Sequence, residues 1–344
     1  MRLCFFLILM SATIPSFAQI KGYPDGVSEV SYLSKADQTE QPALFWKPEK
    51  SDKPVPLLVA LHTWSSDYKQ AGGEAVYAKW CQQMGWAFVH PNFRGKNNTP
   101  EALGSNLAVA DVISSIDFAK THATIDPNRI YCIGVSGGGH MSMMMAARAP
   151  EVWAGVSAWC GISDIVAWHK ECSENKRFIR YAKHIEGAIG GPPESSIEQL
   201  KSAQHRSPLT WLAKARNVNL DINHGVNDGR EGSVPFTHSL EAWNEVVGDS
   251  GKFSKDWIDT FYKTQTSPKP FSGNDPLFET RQPLFRKTSE NGKTRITIFN
   301  GGHEIVHQAA LNWLAAQQRD TPAVWELKET TLIHTDDKAT RSGK

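Results

Sequence analysis

The stretch Arg129-Ile-Tyr-Cys-Ile-Gly-Val-Ser-Gly-Gly-Gly-His-Met-Ser-Met-Met-Met-Ala-Ala-Arg148 decides the fold. Through Val135 it is a short β-branched and aromatic run suited to a buried strand, and from His140 it turns helical. Between the two stands Gly134-Val-Ser-Gly-Gly138. Glycines on both sides of Ser136 relieve the crowding of a sharp strand-to-helix turn. The backbone can then hold a strained angle and lift the hydroxyl clear of the sheet, as in a nucleophile elbow. The five-residue pattern alone is weak; the flanking strand and helix give it meaning.

Two residues downstream turn this serine into a candidate nucleophile. Leu220-Asp-Ile-Asn-His-Gly-Val-Asn-Asp228 runs a short apolar strand into a His-Gly turn and presents Asp228 just past its end. Ile296-Thr-Ile-Phe-Asn-Gly-Gly-His303 does the same for His303. A serine hydroxyl needs a neutral imidazole to take its proton, and the imidazole needs a carboxylate to fix its tautomer. The order Ser, Asp, His along the chain is that of α/β-hydrolases, and other serine hydrolase folds use other orders. Asp164, which follows the strand 154–160, is the rival acid. Singly, each residue has a plainer reading as a turn serine, a cap or a surface histidine; together, at three strand ends, they form a triad. One oxyanion donor is expected from the amide of Gly137. The other is expected from the loop Leu61-His-Thr-Trp-Ser-Ser66, with Trp64 ahead of Thr63.

Residues 1–18 carry Arg2, the apolar run Leu3-Cys-Phe-Phe-Leu-Ile-Leu-Met10 and the small residues Ser16 and Ala18, the pattern of a cleavable signal peptide cut after Ala18. The apolar run is shorter than the roughly 20 residues a spanning helix needs. A periplasmic or secreted protein without membrane insertion is expected. Removing this segment loses only Arg2 and leaves basic and acidic side chains balanced at 36 each. That balance argues against nucleic acid or a polybasic membrane surface as partner. Four cysteines remain, Cys81, Cys132, Cys160 and Cys172. Cys81 and Cys132 fit buried apolar positions, whereas Cys160 and Cys172 bracket the start of an insertion, where a bridge would tether it. No spacing suggests a metal site, and no cofactor is expected.

Read along its length, the chain opens on a hairpin (27–33 and 43–46), followed by a first buried strand (56–62), a helix (75–84), a strand (86–90) and a helix (107–122). Asp126-Pro-Asn-Arg-Ile130 turns into the elbow strand. Strands 154–160, 219–223 and 295–299 follow, with helices near 235–247 and 305–317. Strands alternating with helices predict an α/β class with a mostly parallel central sheet covered on both faces and ligands beyond the strands' carboxyl ends. The expected organisation is one catalytic domain over 19–320, with inserted segments near 164–216 and 251–292 and a polar, loosely held tail over 321–344.

Asn92-Phe-Arg-Gly95, Asp126-Pro-Asn-Arg-Ile130, Gly134-Val-Ser-Gly-Gly138, Ser207-Pro-Leu-Thr210, His224-Gly-Val-Asn-Asp228 with Val234-Pro235, and Gly302-His303 together resemble the prolyl oligopeptidase-like (S9-like) and secreted-esterase branch of the α/β-hydrolases, from Pro56 to about Gln317. The resemblance implies the triad Ser136, Asp228 and His303 and the two amide donors. It differs in placing Gly-Arg-Glu-Gly-Ser between Asp228 and Val234. Peptidases of this group carry an N-terminal β-propeller, and here only residues 19–55 separate the expected cleavage site from the resembling region.

The insertions are rich in aromatic residues and arginine, which suit sugar faces and carboxylates. Arg94, Trp168 and Arg281 are the candidate substrate contacts. The alternative for each is packing or a structural ion pair. The expected activity is serine esterase chemistry on methyl, acetyl or hydroxycinnamoyl esters of plant polysaccharide, pectin methyl ester among them. The alternatives are an aminopeptidase or dipeptidyl peptidase, and a non-catalytic carbohydrate-binding protein. The sequence does not specify an oligomeric state.

Overall fold

The computed structural model describes residues 19–327. The expected signal peptide and residues 328–344 lie outside the described residues. A hairpin, β1 (Ser28–Leu33) and β2 (Glu40–Trp46), opens the chain, followed by β3 (Val55–Leu61), α1 (Gly73–Met84), β4 (Ala87–Pro91) and α2 (Asn106–His122). The elbow strand β5 (Ile125–Val135) leads into α3 (Gly137–Arg148) and β6 (Gly155–Trp159). Three helices of the first insertion follow, α4 (Ile165–Ser173), α5 (Ile179–Ile189) and α6 (Ile197–His205). The chain continues through β7 (Leu220–Gly225), α7 (Thr237–Val247), α8 (Lys255–Thr264), β8 (Pro283–Thr288), β9 (Thr294–Phe299) and α9 (His307–Ala315).

All nine strands join one sheet in the order β1-β2-β4-β3-β5-β6-β7-β9-β8. The six from β4 to β9 run parallel, and the hairpin and β8 close the two edges antiparallel. This is the α/β-hydrolase architecture. β3 shows why the sheet is central: every residue is buried, and the side chains alternate between two cores. Leu57, Val59 and Leu61 pack under α2, α3, α7 and α8, while Leu58 and Ala60 pack under α1 and α9. The first insertion folds as a cap with its own core, in which Trp64, Trp168, Ile165, Ala182 and Ile185 are buried together.

Several expectations change. Asp126-Pro-Asn-Arg-Ile130 belongs to β5, where Ile125 pairs with Val55 and a register shift absorbs the proline. The segment 251–292 does not line the cleft that holds Ser136. It supplies α8 and edge strand β8, and its Phe253, Trp257, Phe261 and Phe285 rings pack on one another at the sheet edge, mostly edge to face. All four cysteines are buried and unbridged, so Cys160 and Cys172 do not tether the insertion. The tail expected to be loose from Thr321 is docked through Leu327: Trp325 stacks on Trp313 with centroids 5.1 Å apart and donates its indole N–H to the Gly292 carbonyl at 2.7 Å. Among the described residues, no helix is long and apolar enough to cross a membrane.

Candidate active site

Ser136 sits where β5 ends and α3 begins, with φ +61° and ψ −120°. Such a left-handed serine costs roughly 1–3 kcal/mol and persists only when its surroundings hold it. Here the Ser136 amide donates to the Trp159 carbonyl on β6 at 2.9 Å, and its carbonyl accepts from His140 at 2.9 Å. The glycines around it are dictated by space. A Cβ on Gly134 would lie 2.4 Å from the carbonyl of Gly138, and one on Gly137 would lie 2.3 Å from the backbone nitrogen of Trp64.

That close approach brings the backbone nitrogen of Trp64 against Gly137, the residue after Ser136, where the two amides are candidates for an oxyanion pair. Thr63 is excluded from this role, because its amide donates to Gln70 Oε1 at 3.0 Å and its hydroxyl to the same oxygen at 2.8 Å. Gln70 in turn donates to Glu74 Oε1 at 3.1 Å. Glu74 is fully buried, and desolvation pushes its carboxyl up to about 8 despite hydrogen bonds to the charged form.

Asp228 lies beyond β7, completely buried, and His303 lies beyond β9. His303 Nδ1 donates to Asp228 Oδ2 at 2.5 Å. The other oxygen, Oδ1, accepts the amides of Gly229 at 2.9 Å and Val234 at 3.2 Å, so the extra residues between Asp228 and Val234 curl around the carboxylate. Burial opposes charge on Asp228. The His303 charge and the hydrogen bonds from His224 and His303 outweigh it and hold the carboxyl well below its usual range.

His224 is the residue that sequence reasoning missed, having been read as half of a turn. Its Nε2 donates to Asp228 Oδ2 at 2.9 Å and to the Val234 carbonyl at 3.0 Å, and Nδ1 accepts from the Ser239 hydroxyl at 2.7 Å. Burial lowers its pKa against the pull of Asp228, which suits a neutral donor. The signal for it was the four-residue spacing to Asp228 across the strand end.

Ser136, His303, Trp64 and Thr63 line one cleft of about 430 Å³, together with Arg180 and Tyr181 from the cap and Glu304, Ile305 and His307 from the other side. The rival acid Asp164 is a helix cap, accepting the amides of Val166 and Ala167 at the start of α4. The three expected substrate contacts are corrected. Arg94 is locked in an ion pair with Asp111 at 2.6 Å and Asp37 at 2.9 Å. Trp168 is 1% exposed and packs between Trp64 and Tyr181. Arg281 forks onto both oxygens of Glu304, at 2.9 and 3.2 Å. Among the described residues, one set of metal-ligating atoms comes together, those of Cys160, Asp228 and His303. The acid and imidazole of this set are already bonded to each other, and burial raises the Cys160 thiol well above its ordinary pKa.

This chain is 22% identical over 245 residues to feruloyl esterase B of Thermothelomyces thermophilus, covering 66% of this chain and 79% of that one. It is 21% identical over 217 residues to feruloyl esterase B of Neurospora crassa, covering 58% and 68%. Among solved structures it superposes on the acylaminoacyl peptidase of Pyrococcus horikoshii with a TM-score of 0.50 and 20% identity, over 64% of this chain and 34% of that one. The chain thus spans about a third of the length of that peptidase, and the likeness is one of fold. The family model described as the prolyl oligopeptidase family matches residues 75–252, a span that holds the elbow and Asp228 while Trp64 and His303 fall outside it. With more than half of its length matched by that model and the elbow inside the match, the chain belongs to the prolyl oligopeptidase family of hydrolases.

Proposed function

We propose that this protein is a secreted serine esterase that cleaves methyl, acetyl or hydroxycinnamoyl esters on plant polysaccharide. The observation that carries the reading is the His303–Asp228 hydrogen bond of 2.5 Å in a cleft shared with Ser136 at its strained elbow. Ser136 Oγ attacks the ester carbonyl as His303 takes its proton, and the carbonyl oxygen, now an anion, is held by the amides of Gly137 and Trp64. Collapse of this intermediate expels the alcohol, protonated by His303, and leaves an acyl-serine. Water activated by His303 then releases the acid and restores Ser136. Asp228 fixes the tautomer of His303 and balances the imidazolium charge.

Ester rather than peptide cleavage is favoured by the acid of the cleft. A peptide N-terminus would need a free carboxylate, and the side chain of Glu304 is engaged by Arg281. The names of the feruloyl esterase relatives support the same choice. A periplasmic or extracellular location belongs to this proposal, resting on the sequence of residues 1–18.

The test is to incubate wild type and Ser136→Ala with pectin, acetylated xylan, feruloylated oligosaccharide and a peptide mixture and to identify what is released. Methanol, acetate or ferulate from wild type, with loss of at least about 10³-fold in the variant, is expected. Serine-dependent release of amino acids or dipeptides alone would overturn the esterase reading in favour of a peptidase.

A further inference from the structure

The cleft carries a positive charge that the proposed acyl transfer does not use. Arg180, in the first turn of α5, lines it together with Ser136 and His303. Its Nη2 reaches only the Tyr181 hydroxyl at 3.2 Å, and its guanidinium lies 5.0 Å from the centre of that ring. Among the described residues, no carboxylate stands within ion-pair distance of it. Three neighbouring charged residues of the cap and rim contrast with it. Lys183 is paired with Glu186 at 2.7 Å, His169 with the same acid at 3.1 Å, and Arg281 with Glu304 at 2.9 Å.

A second cation stands near Arg180. Lys96 is exposed nearby, and the two cations, after burial, depress the pKa of His184 beside them. Phe178 occupies the N-cap of α5 and offers no side-chain acceptor, so the positive end of the helix adds to the same field.

Arg180 is exposed, but the ring on which it lies is anchored to the reacting centre. Trp64, whose amide adjoins Gly137, meets Trp168 edge-on at 4.5 Å. Trp168 stacks on Tyr181 at 5.3 Å, and Tyr181 carries Arg180. A rigid aromatic ladder therefore runs from the oxyanion pair to an unpaired guanidinium at the rim. Tyr181 is half-buried, and it lines the cleft beside Arg180 with its hydroxyl against the guanidinium.

We infer that Arg180 and Tyr181 form a carboxylate-selective subsite, and that the ester cleaved at Ser136 belongs to an acidic oligosaccharide with a free uronate against Arg180. The inference rests on the esterase reading and narrows its substrate to acidic glycans.

Two measurements separate the two ideas. The first is Ser136-dependent hydrolysis of 4-nitrophenyl acetate, a neutral ester that does not engage the subsite. Its absence overturns the esterase reading. The second is calorimetric binding of trigalacturonate and of galactotriose, its neutral counterpart, to the Ser136→Ala protein and to Ser136→Ala with Arg180→Gln or Arg180→Lys. Trigalacturonate should bind about tenfold more tightly than galactotriose to the Ser136→Ala protein, a difference of the size of one charge-assisted hydrogen bond. Arg180→Gln should bring the ratio of the two constants close to one, Arg180→Lys should restore part of it, and added salt should shrink it. Equal binding of the two trisaccharides, or a ratio unmoved by Arg180→Gln, overturns the subsite whatever the acetate assay shows.

Discussion

At the residue scale the site is governed by what surrounds one carboxylate. Asp228 receives four hydrogen bonds, two from backbone amides and two from histidines. With both oxygens occupied, the carboxylate cannot rotate away from His303. His224 is accordingly a positioning residue: it touches neither substrate nor Ser136 but fixes the group that orients His303. His224→Phe should lower kcat by about tenfold with little change in KM, and His224→Gln, whose amide can still donate, should recover much of the loss. Steady-state kinetics on any ester turned over by wild type reads both values, and a matching loss in the Gln variant would argue against the role.

Glu74, one link behind the loop that carries Thr63 and Trp64, responds to pH in a definite direction. Its carboxyl is raised from 4.5 to about 8 by burial, so between those values the unfolded chain is ionised at this position and the folded chain is not. The folded state then binds the extra proton, and stability falls as pH rises through that window. Glu74→Gln keeps the shape and the bond to Gln70 without the titration. It should be more stable than wild type by up to a few kcal/mol at pH 8. At pH 4.5 the two should be nearly equal, as denaturant midpoints at the two pH values would reveal.

At the scale of elements, what the sequence made legible and what it hid follow from the range of the forces involved. β3, β5 and β6 announce themselves because strands buried on both faces are mostly apolar, while β7 and β9 show through Leu220, Ile222, Ile296 and Ile298, their buried Asp221 and Arg295 pairing with each other. The elbow, Asp228 and His303 were legible because they stand at the ends of such strands. β8 was not legible. Pro-Leu-Phe-Arg-Lys-Thr has only alternate burial, and it is a strand because β9 offers it an edge. The same limit hid the fate of Arg94 and Trp168. Nothing local to Arg94 reveals Asp111 on α2, and nothing local to Trp168 reveals the loop carrying Ser233, whose carbonyl takes its indole N–H at 2.8 Å. That bond and the contact with Trp64 make Trp168 the pin between the cap, the Asp228 loop and the loop that carries Trp64. Trp168→Ala should cost about 3–5 kcal/mol in stability, the usual penalty for emptying a buried tryptophan site. It should also lower Ser136-dependent hydrolysis below what the remaining folded fraction explains, once urea unfolding has fixed that fraction.

At the scale of the whole molecule, one sheet separates two cores and delivers every element of the site to one end. The opposite margin is closed by the last described residues. There Trp325 lies on Trp313, the guanidinium of Arg295 sits 4.6 Å from its ring centre, and Val324 exchanges two hydrogen bonds with the side chain of Gln317. Arg295 is itself paired with Asp221 on β7 at 3.0 Å, so the segment completes a network that reaches into the sheet beneath Asp228. Losing a half-buried tryptophan, its stacking and one indole hydrogen bond amounts to about 2 kcal/mol. Trp325→Ala in the full chain should therefore lower the urea midpoint with an unchanged m-value. Trp325→Phe, which keeps the ring but not the N–H, should recover roughly half of the loss. KM should stay at the wild-type value in both variants, because the segment braces the sheet away from the cleft; a raised KM would mean that the two ends of the sheet are coupled through the Arg295–Asp221 pair and β7.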